Sequence, residues 1–246
     1  MQEHELWITA LLNEHLAALG NTILALFGLH AHNPERPWAN FIVMQILVAL
    51  IIIVLFPLLR AALSVKTPGT LQQLFEVIYE FLHGQTQEVI GHHGTRYLAF
   101  FGTLFIFILF GNLIGIIPSF ESPTMFPMVT AGCAMAAFLF YNVAGVREHG
   151  LGRYLAHFAG PMPLMAPLMI PIEIVSHLAR PLSLTIRLYA NMLAGEKVTL
   201  VFLGLTYLVV PAVFMGLHVF VSVLQAYVFT VLTMLYVAGA VAHEEH

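Results

Sequence analysis

Charge is what this chain has least of. Only 9% of its 246 residues are Asp, Glu, Lys or Arg, against 59% hydrophobic, whereas a soluble domain carries roughly a quarter charged residues. With a mean hydropathy of +0.87, the composition excludes an ordinary soluble globule and reads as an all-α polytopic membrane protein. A net charge of −4 and a pI near 6.3 give no basic surface for nucleic acid. Cysteine is reduced to Cys133, inside an apolar run, which excludes a disulfide framework and a cysteine metal site. There is no Gly-x-x-x-x-Gly-Lys-Ser/Thr loop, so the chain makes no phosphate bond itself, and no His-Glu-x-x-His for an intramembrane metalloprotease. His30, His32, His92, His93 and the histidines of the tail 243–246 lack surrounding ligand geometry. They read as solvated loop residues, and no metal or cofactor is expected. The N-terminus has no positively charged n-region of a signal peptide, so its first hydrophobic residues are expected to stay in the mature chain. No internal repeat or low-complexity linker divides the sequence, which is expected to form a single membrane domain over 1–246. The missing repeat also counts against a secondary transporter, whose halves usually match.

What remains is long apolar sequence with a few polar interruptions. Residues 41–59, 97–118 and 125–146 are each uncharged and long enough to cross a bilayer, which takes ~20 residues. Residues 1–40 read as a short hydrophilic external segment ahead of them. Between the first two spans, over 71–90, Leu71, Leu74, Phe75, Ile78, Phe81 and Leu82 recur at helical spacing while Glu76, Glu80 and Glu88 take other faces. That pattern predicts an amphipathic helix at an interface. The region from 161 to 242 stays apolar but is interrupted by Glu173, His177, Arg180, Arg187, Glu196, Lys197 and His218. Its length predicts two long helices, 161–203 and 205–242, with a break near Gly204 or Pro211. About five membrane-embedded helices result. Arg60, Lys66 and Arg96 bracket the amphipathic helix, and Arg147 and Arg153 follow the third span. The positive-inside rule places those loops and the C-terminus in the cytoplasm and the N-terminus outside. Arg36 is the single exception.

Arg187 is the residue that points to a function. A charge at bilayer depth costs from a few to more than ~10 kcal/mol, and arginine keeps its proton, so it is a fixed cation. A purely structural scaffold has no reason to retain it. At about 100° per residue, Glu173, Ser176, Arg180, Ser183, Asn191 and Ala194 all fall within roughly 40° of Arg187, while Glu196 points roughly opposite. On the last helix His218, Ser222 and Gln225 share a face that can meet the Glu196 side. Two polar clusters at different depths, separated by a fixed cation, make two partial water paths that do not join. A mobile carrier must link them, and this chain offers none, so a carboxylate of another subunit is implied. That carboxylate loses its proton when it faces Arg187. Other readings of the individual residues stand beside this one. Arg180 also suits snorkelling to the cytoplasmic interface, Asn191 and Gln225 suit interhelical hydrogen bonding, Glu196 suits the membrane edge, and His218 suits a buried hydrogen-bonded histidine.

The run Ser183-Leu184-Thr185-Ile186-Arg187-Leu188-Tyr189-Ala190-Asn191-Met192, followed by Ala194-Gly195-Glu196, closely resembles the signature of subunit a of the F-type ATP synthases. Gly111-Asn112-Leu113-Ile114-Gly115-Ile116-Ile117-Pro118 in the second span, and His218 with Leu224-Gln225-Ala226 in the last helix, extend the resemblance across most of the chain. The resemblance implies that Arg187 meets each carboxylate of a rotating c-subunit ring, with Asn191 nearby. It implies that Glu196, His218 and Gln225 line a half-channel open to the periplasmic side, and that Glu173, Ser176, Arg180 and Ser183 belong to the cytoplasmic access path. It further implies long, tilted last helices, a b-subunit peripheral stalk and an F1 sector as partners, ATP chemistry in other subunits, and the bacterial inner membrane as the site. Two departures from the family pattern are the N-terminal segment and a Met-rich stretch at 161–169. Protons are favoured over sodium by the Glu and His of the proposed inlet.

Overall fold

The computed structural model describes residues 5–26, 28, 33–117, 120–152, 154, 166–205 and 209–242. Among these the chain forms seven long α-helices and no strand: α1 (Trp7–Leu26), α2 (Asn40–Ala62), α3 (Thr70–Ile90), α4 (Leu98–Leu113), α5 (Pro127–His149), α6 (Ala166–Leu205) and α7 (Val209–Val241). Short 3-10 turns flank α4, and four helical stretches are long and apolar enough to cross a membrane: Asn40–Ala62, Gly94–Ile116, Pro127–His149 and Val210–Val241. This is an all-α membrane protein. Helix α6 is the fifth long apolar element, set apart by its charged interruptions. Its 40 residues make a rod of about 60 Å, twice the ~30 Å hydrocarbon thickness. A rod of that length stays in contact with the bilayer only when steeply inclined. Residues 161–165, at the start of the expected fourth membrane helix, lie outside the described residues, as do Pro118, Arg153, His30, His32 and 243–246.

The break expected near Gly204 or Pro211 adjoins residues 206–208, which lie outside the described residues. Helix α6 ends at Leu205, and Pro211 sits in the first turn of α7.

Helix α7 is the centre of the assembly and packs against α3, α4, α5 and α6. Its buried Ala226, Phe229, Met234 and Val237 meet Phe101, Phe105 and Ile108 of α4 and Ala134, Ala137 and Tyr141 of α5. Small residues allow the close approach that packing in lipid requires. At Gly145, an added Cβ would lie 3.0 Å from the Ala240 carbonyl oxygen of α7. Polar groups between α4, α7 and the α4–α5 loop are paired. The fully buried Asn112 donates to the Ser222 carbonyl at 3.1 Å and accepts from the Thr124 hydroxyl at 2.6 Å.

In α3 the apolar positions divide into two sets. Phe75, Ile78 and Leu82 pack onto the bundle, while Leu71, Leu74 and Phe81 are exposed on the outer surface. That is the arrangement of a helix with protein beneath it and lipid beside it.

The N-terminal segment departs most from its sequence reading. Trp7–Leu26 is a 20-residue helix, kinked at Leu16 (φ −124°, ψ 18°), and not merely a hydrophilic extension. Its exposed Trp7, Leu11, Leu19, Ile23 and Leu26 supply an apolar face for the membrane surface, a pattern obscured by the interspersed Glu14, His15 and Asn13. Asn13 ties the helix down, donating to Glu5 at 2.7 Å and to the Trp38 carbonyl at 3.1 Å and accepting from the Trp38 N–H at 3.0 Å. Arg36, the exception to the positive-inside count, is ion-paired with Glu5 at 3.1 Å. Asn13→Ala leaves the Trp38 backbone groups unpaired, at about 1–3 kcal/mol. We expect hydrogen exchange across 7–26 to accelerate while the exchange of α4, α5 and α7 stays unchanged.

Candidate functional site

The site lies along α6 and the face of α7 that packs on it. The two helices run antiparallel, and their polar residues meet in three successive layers. His218 lies against Gly195, where an added Cβ would come 2.9 Å from the ring Nδ1. The Ser222 hydroxyl points at Met192 Sδ, 4.0 Å away. Asn191 Nδ2 donates to Gln225 Oε1 at 2.8 Å. Thus His218 comes to the neighbourhood of Glu196, whereas Gln225 bonds a residue one turn beyond Arg187. The helical count put His218, Ser222 and Gln225 on one face. Their spread along the helix axis is what carries that face from Glu196 to Asn191.

Arg187 stands on the open side of α6. It is half-exposed, and its guanidinium donates to the Ser183 hydroxyl at 3.4 Å. Among the described residues no carboxylate pairs with it. The small Ala190 and Ala194 and the larger Ile186 are exposed on the same stretch of helix. A fixed cation therefore sits on an outward-facing stretch among small and apolar neighbours, with the exposed polar Ser183 and Asn191 one turn to either side.

The polar groups towards Glu196 have a different character. Four buried side-chain polar atoms lack a hydrogen-bond partner among the described residues. Three of them belong to this set: Glu196 Oε2, His218 Nε2 and Gln225 Nε2. Each such atom costs about 1–3 kcal/mol unless water reaches it, and natural cores keep very few. Three of them between the same two helices describe a wettable seam. At this end of the bundle Glu121, in the loop between α4 and α5, accepts from Asn40 Nδ2 at 3.3 Å and lies within electrostatic range of Glu196. The sequence alone gives no reason to connect Glu121 with Glu196; tertiary packing brings the two within electrostatic range.

At the opposite end of α6, Arg180 reaches Glu173 at 3.7 Å. Its guanidinium also lies over two tyrosine rings, 5.3 Å from the centroid of Tyr236 on α7 and 5.9 Å from that of Tyr141 on α5. Neither tyrosine was singled out from the sequence, because an aromatic in an apolar span carries no polar signature of its own. Ser176 is exposed beside them. The sequence-derived residues therefore separate into two groups on either side of Arg187: Glu173, Ser176 and Arg180 at one end, and Glu196 with His218 at the other. Ser183, Asn191 and Gln225 lie near the arginine.

Residues 42–238 match the family model described as ATP synthase A chain. The chain is 69% identical over 233 residues to the ATP synthase subunit a of Solibacter usitatus, covering 94% of this chain and 99% of that relative. It is 47% identical to the ATP synthase subunit a of Koribacter versatilis, over 98% of each chain. It is 40% identical to the ATP synthase subunit a of a Sulfurihydrogenibium species, covering 82% of this chain and 99% of the relative.

The Asn191–Gln225 bond is open to a double-mutant cycle. Interhelical hydrogen bonds in a membrane protein average ~0.6 kcal/mol of coupling, with a ceiling near ~1.7. Unfolding free energies in bicelles for Asn191→Leu, Gln225→Leu and the double variant are expected to give a coupling in that range. Strict additivity would mean that the two side chains do not stabilise each other.

Proposed function

Because the chain belongs to the ATP synthase A chain family, we propose that it is the proton-translocating stator subunit of a rotary F-type ATP synthase. It provides two offset half-channels to the carboxylates of a c-subunit ring, separated by Arg187. The observation that carries this reading is the guanidinium on the open face of α6, without a carboxylate partner among the described residues. A permanent cation in lipid needs a counter-charge, and a ring carboxylate passing that face supplies one.

The seam of Glu196, His218 and Gln225, with its three unpartnered buried atoms, is the outer half-channel. A proton moves along it to a ring carboxylate, which becomes neutral and can turn into the lipid. After the ring has turned, the carboxyl faces the other half-channel, with Ser183, Arg180, Ser176 and Glu173 leading to the cytoplasm. There the field of Arg187 favours the charged form, and the proton leaves. Arg187 also repels a proton that would run straight from one path to the other. Each charge crossing is worth about 2.3 kcal/mol per 100 mV, so one ATP takes several steps of the ring. The ring and the b-subunit peripheral stalk are the direct partners, with ATP chemistry in the F1 sector. The bacterial plasma membrane is the setting, with Arg60, Lys66, Arg96 and Arg147 on the cytoplasmic side.

The test is ATP-driven acidification of inverted membrane vesicles with the assembled complex. Arg187→Ala is expected to abolish pumping while assembly persists, and passive proton leak is expected to rise once the F1 sector is stripped. Pumping at the wild-type rate would overturn the assignment and favour an independent transporter. Gly195→Ala, which drives a methyl group against the His218 ring, is expected to slow pumping by about tenfold, the equivalent of ~1.4 kcal/mol in the barrier, without raising leak.

A further inference from the structure

A polar cluster that the proton path does not use lies beside its cytoplasmic group. His177 of α6 is 9% exposed and Tyr141 of α5 is 1% exposed. The Tyr141 hydroxyl lies 3.2 Å from His177 Nε2 and 3.4 Å from Nδ1. His177 Nε2 is 2.9 Å from Asn142 Oδ1, and the Tyr154 hydroxyl donates to the same oxygen at 2.9 Å. The hydrogen bonds determine the proton positions. Asn142 Nδ2 donates to the Phe138 carbonyl at 2.6 Å, so the amide oxygen is the group turned towards His177 and must accept. Nε2 therefore carries the proton, and in the neutral ring Nδ1 is left as the acceptor for the Tyr141 hydroxyl. The Phe138 ring packs edge-on against the imidazole, 5.2 Å between centroids.

Tyr141 links this cluster to the path. Its hydroxyl is held by His177, and its ring face, together with that of Tyr236, lies under the Arg180 guanidinium. The charged and titratable groups around His177 are Tyr141 from α5, Tyr154 from the segment after α5, Glu173 and Arg180 from α6 itself, and Tyr236 from α7. Arg180 is the one cation among them, and its only ion pair among the described residues is the long contact to Glu173. Where that cation sits depends on the two tyrosine faces more than on its carboxylate.

Resting on the stator reading above, we propose that His177 is a positioning residue of the cytoplasmic half-channel: by holding the Tyr141 hydroxyl it fixes the aromatic platform of Arg180, and so the electrostatics of proton release to the cytoplasm. Without that hydrogen bond the buried Tyr141 hydroxyl loses its histidine partner and is left to Asn142 and Arg180, which also lie within its reach, at the cost of one hydrogen bond. Tyr141 then turns towards them, and Arg180 loses half of its support. The field that Glu173 and the releasing proton experience changes with it.

The experiment uses the whole complex in inverted vesicles, where the cytoplasmic face is outside and its pH is set independently of the lumen. His177→Phe keeps a ring against Phe138 and removes both hydrogen bonds; His177→Gln keeps a donor for Asn142 and an acceptor for Tyr141. We expect His177→Phe to lower ATP-driven pumping by about threefold, the rate equivalent of one interhelical hydrogen bond, and to alter its dependence on cytoplasmic-side pH but not on lumenal pH. His177→Gln is expected to restore both. Tyr141→Phe is expected to reproduce the defect, and the double variant to be no worse than either single one. Where His177→Phe fails to assemble with the ring, Tyr141→Phe carries the same test, since it removes one oxygen atom. A wild-type rate and pH profile in Tyr141→Phe, a His177→Gln as defective as His177→Phe, or defects that add would each overturn the proposal. Inactive Arg187→Ala alongside normal His177 and Tyr141 variants would overturn this inference alone. Active Arg187→Ala would overturn the stator reading beneath it.

Discussion

Lipid offers no hydrogen bonds, so every polar group on a membrane helix must find its partner in protein, in water or in another subunit. Much of this structure follows from that constraint. Asn112, Ser222 and Thr124 close a paired cluster between α4, α7 and the α4–α5 loop, and the threonines of α7 donate back to their own helix. Where the rule is not met among the described residues, the exceptions, Thr9 aside, are grouped. Three buried atoms open onto one seam between α6 and α7, and one guanidinium faces outward. The first grouping calls for water and the second for a moving anion, and those are the two things an ion-driven rotor must be offered.

Packing explains how such a surface stays in shape. Helix α6 carries the charged residues on one side and a buried apolar side on the other. It is held by Leu184, Leu188 and Met192 sunk into the core cluster, on the side away from Arg187. The buried leucines and the exposed arginine thus alternate along the same turns. The anchoring side is close-packed, and such cores resist small displacements. Helix α6 packs directly on both α5 and α7, and α7 carries that anchorage on to α4.

Much of this could be read in the sequence because the relevant signals are local. Length and apolarity locate α2, α4 and α5, and a single charge in an apolar run marks Arg187. The helical count that groups Ser183, Arg187 and Asn191 needs only the 100° rotation of an α-helix. Three things were out of reach. Helix α1 was missed because its apolar residues are interleaved with Asn13, Glu14 and His15, and only docking through Trp38 makes a helix of them. The separation of Gln225 from His218 depends on axial register, which a face-on wheel discards. Glu121 and Tyr141 acquire their surroundings from residues far away in sequence: Asn40 is 81 positions from Glu121, and His177 is 36 from Tyr141. No window of sequence contains both members of either pair.

Asn40 also has a consequence for biogenesis. Its side chain accepts from the Leu6 N–H, 34 residues earlier, and donates to Glu121, 81 residues later. One end of the bundle is therefore stitched through one amide at the start of the first span. A chain inserting from its N-terminus reaches that amide early, but the carboxylate arrives only when the loop between α4 and α5 has been delivered to the same face. Until then α1 can settle on the first span but not on the finished bundle. The Asn40–Glu121 bond forms only if the intervening helices have crossed in the right sense, so a topological error between them leaves both groups without it.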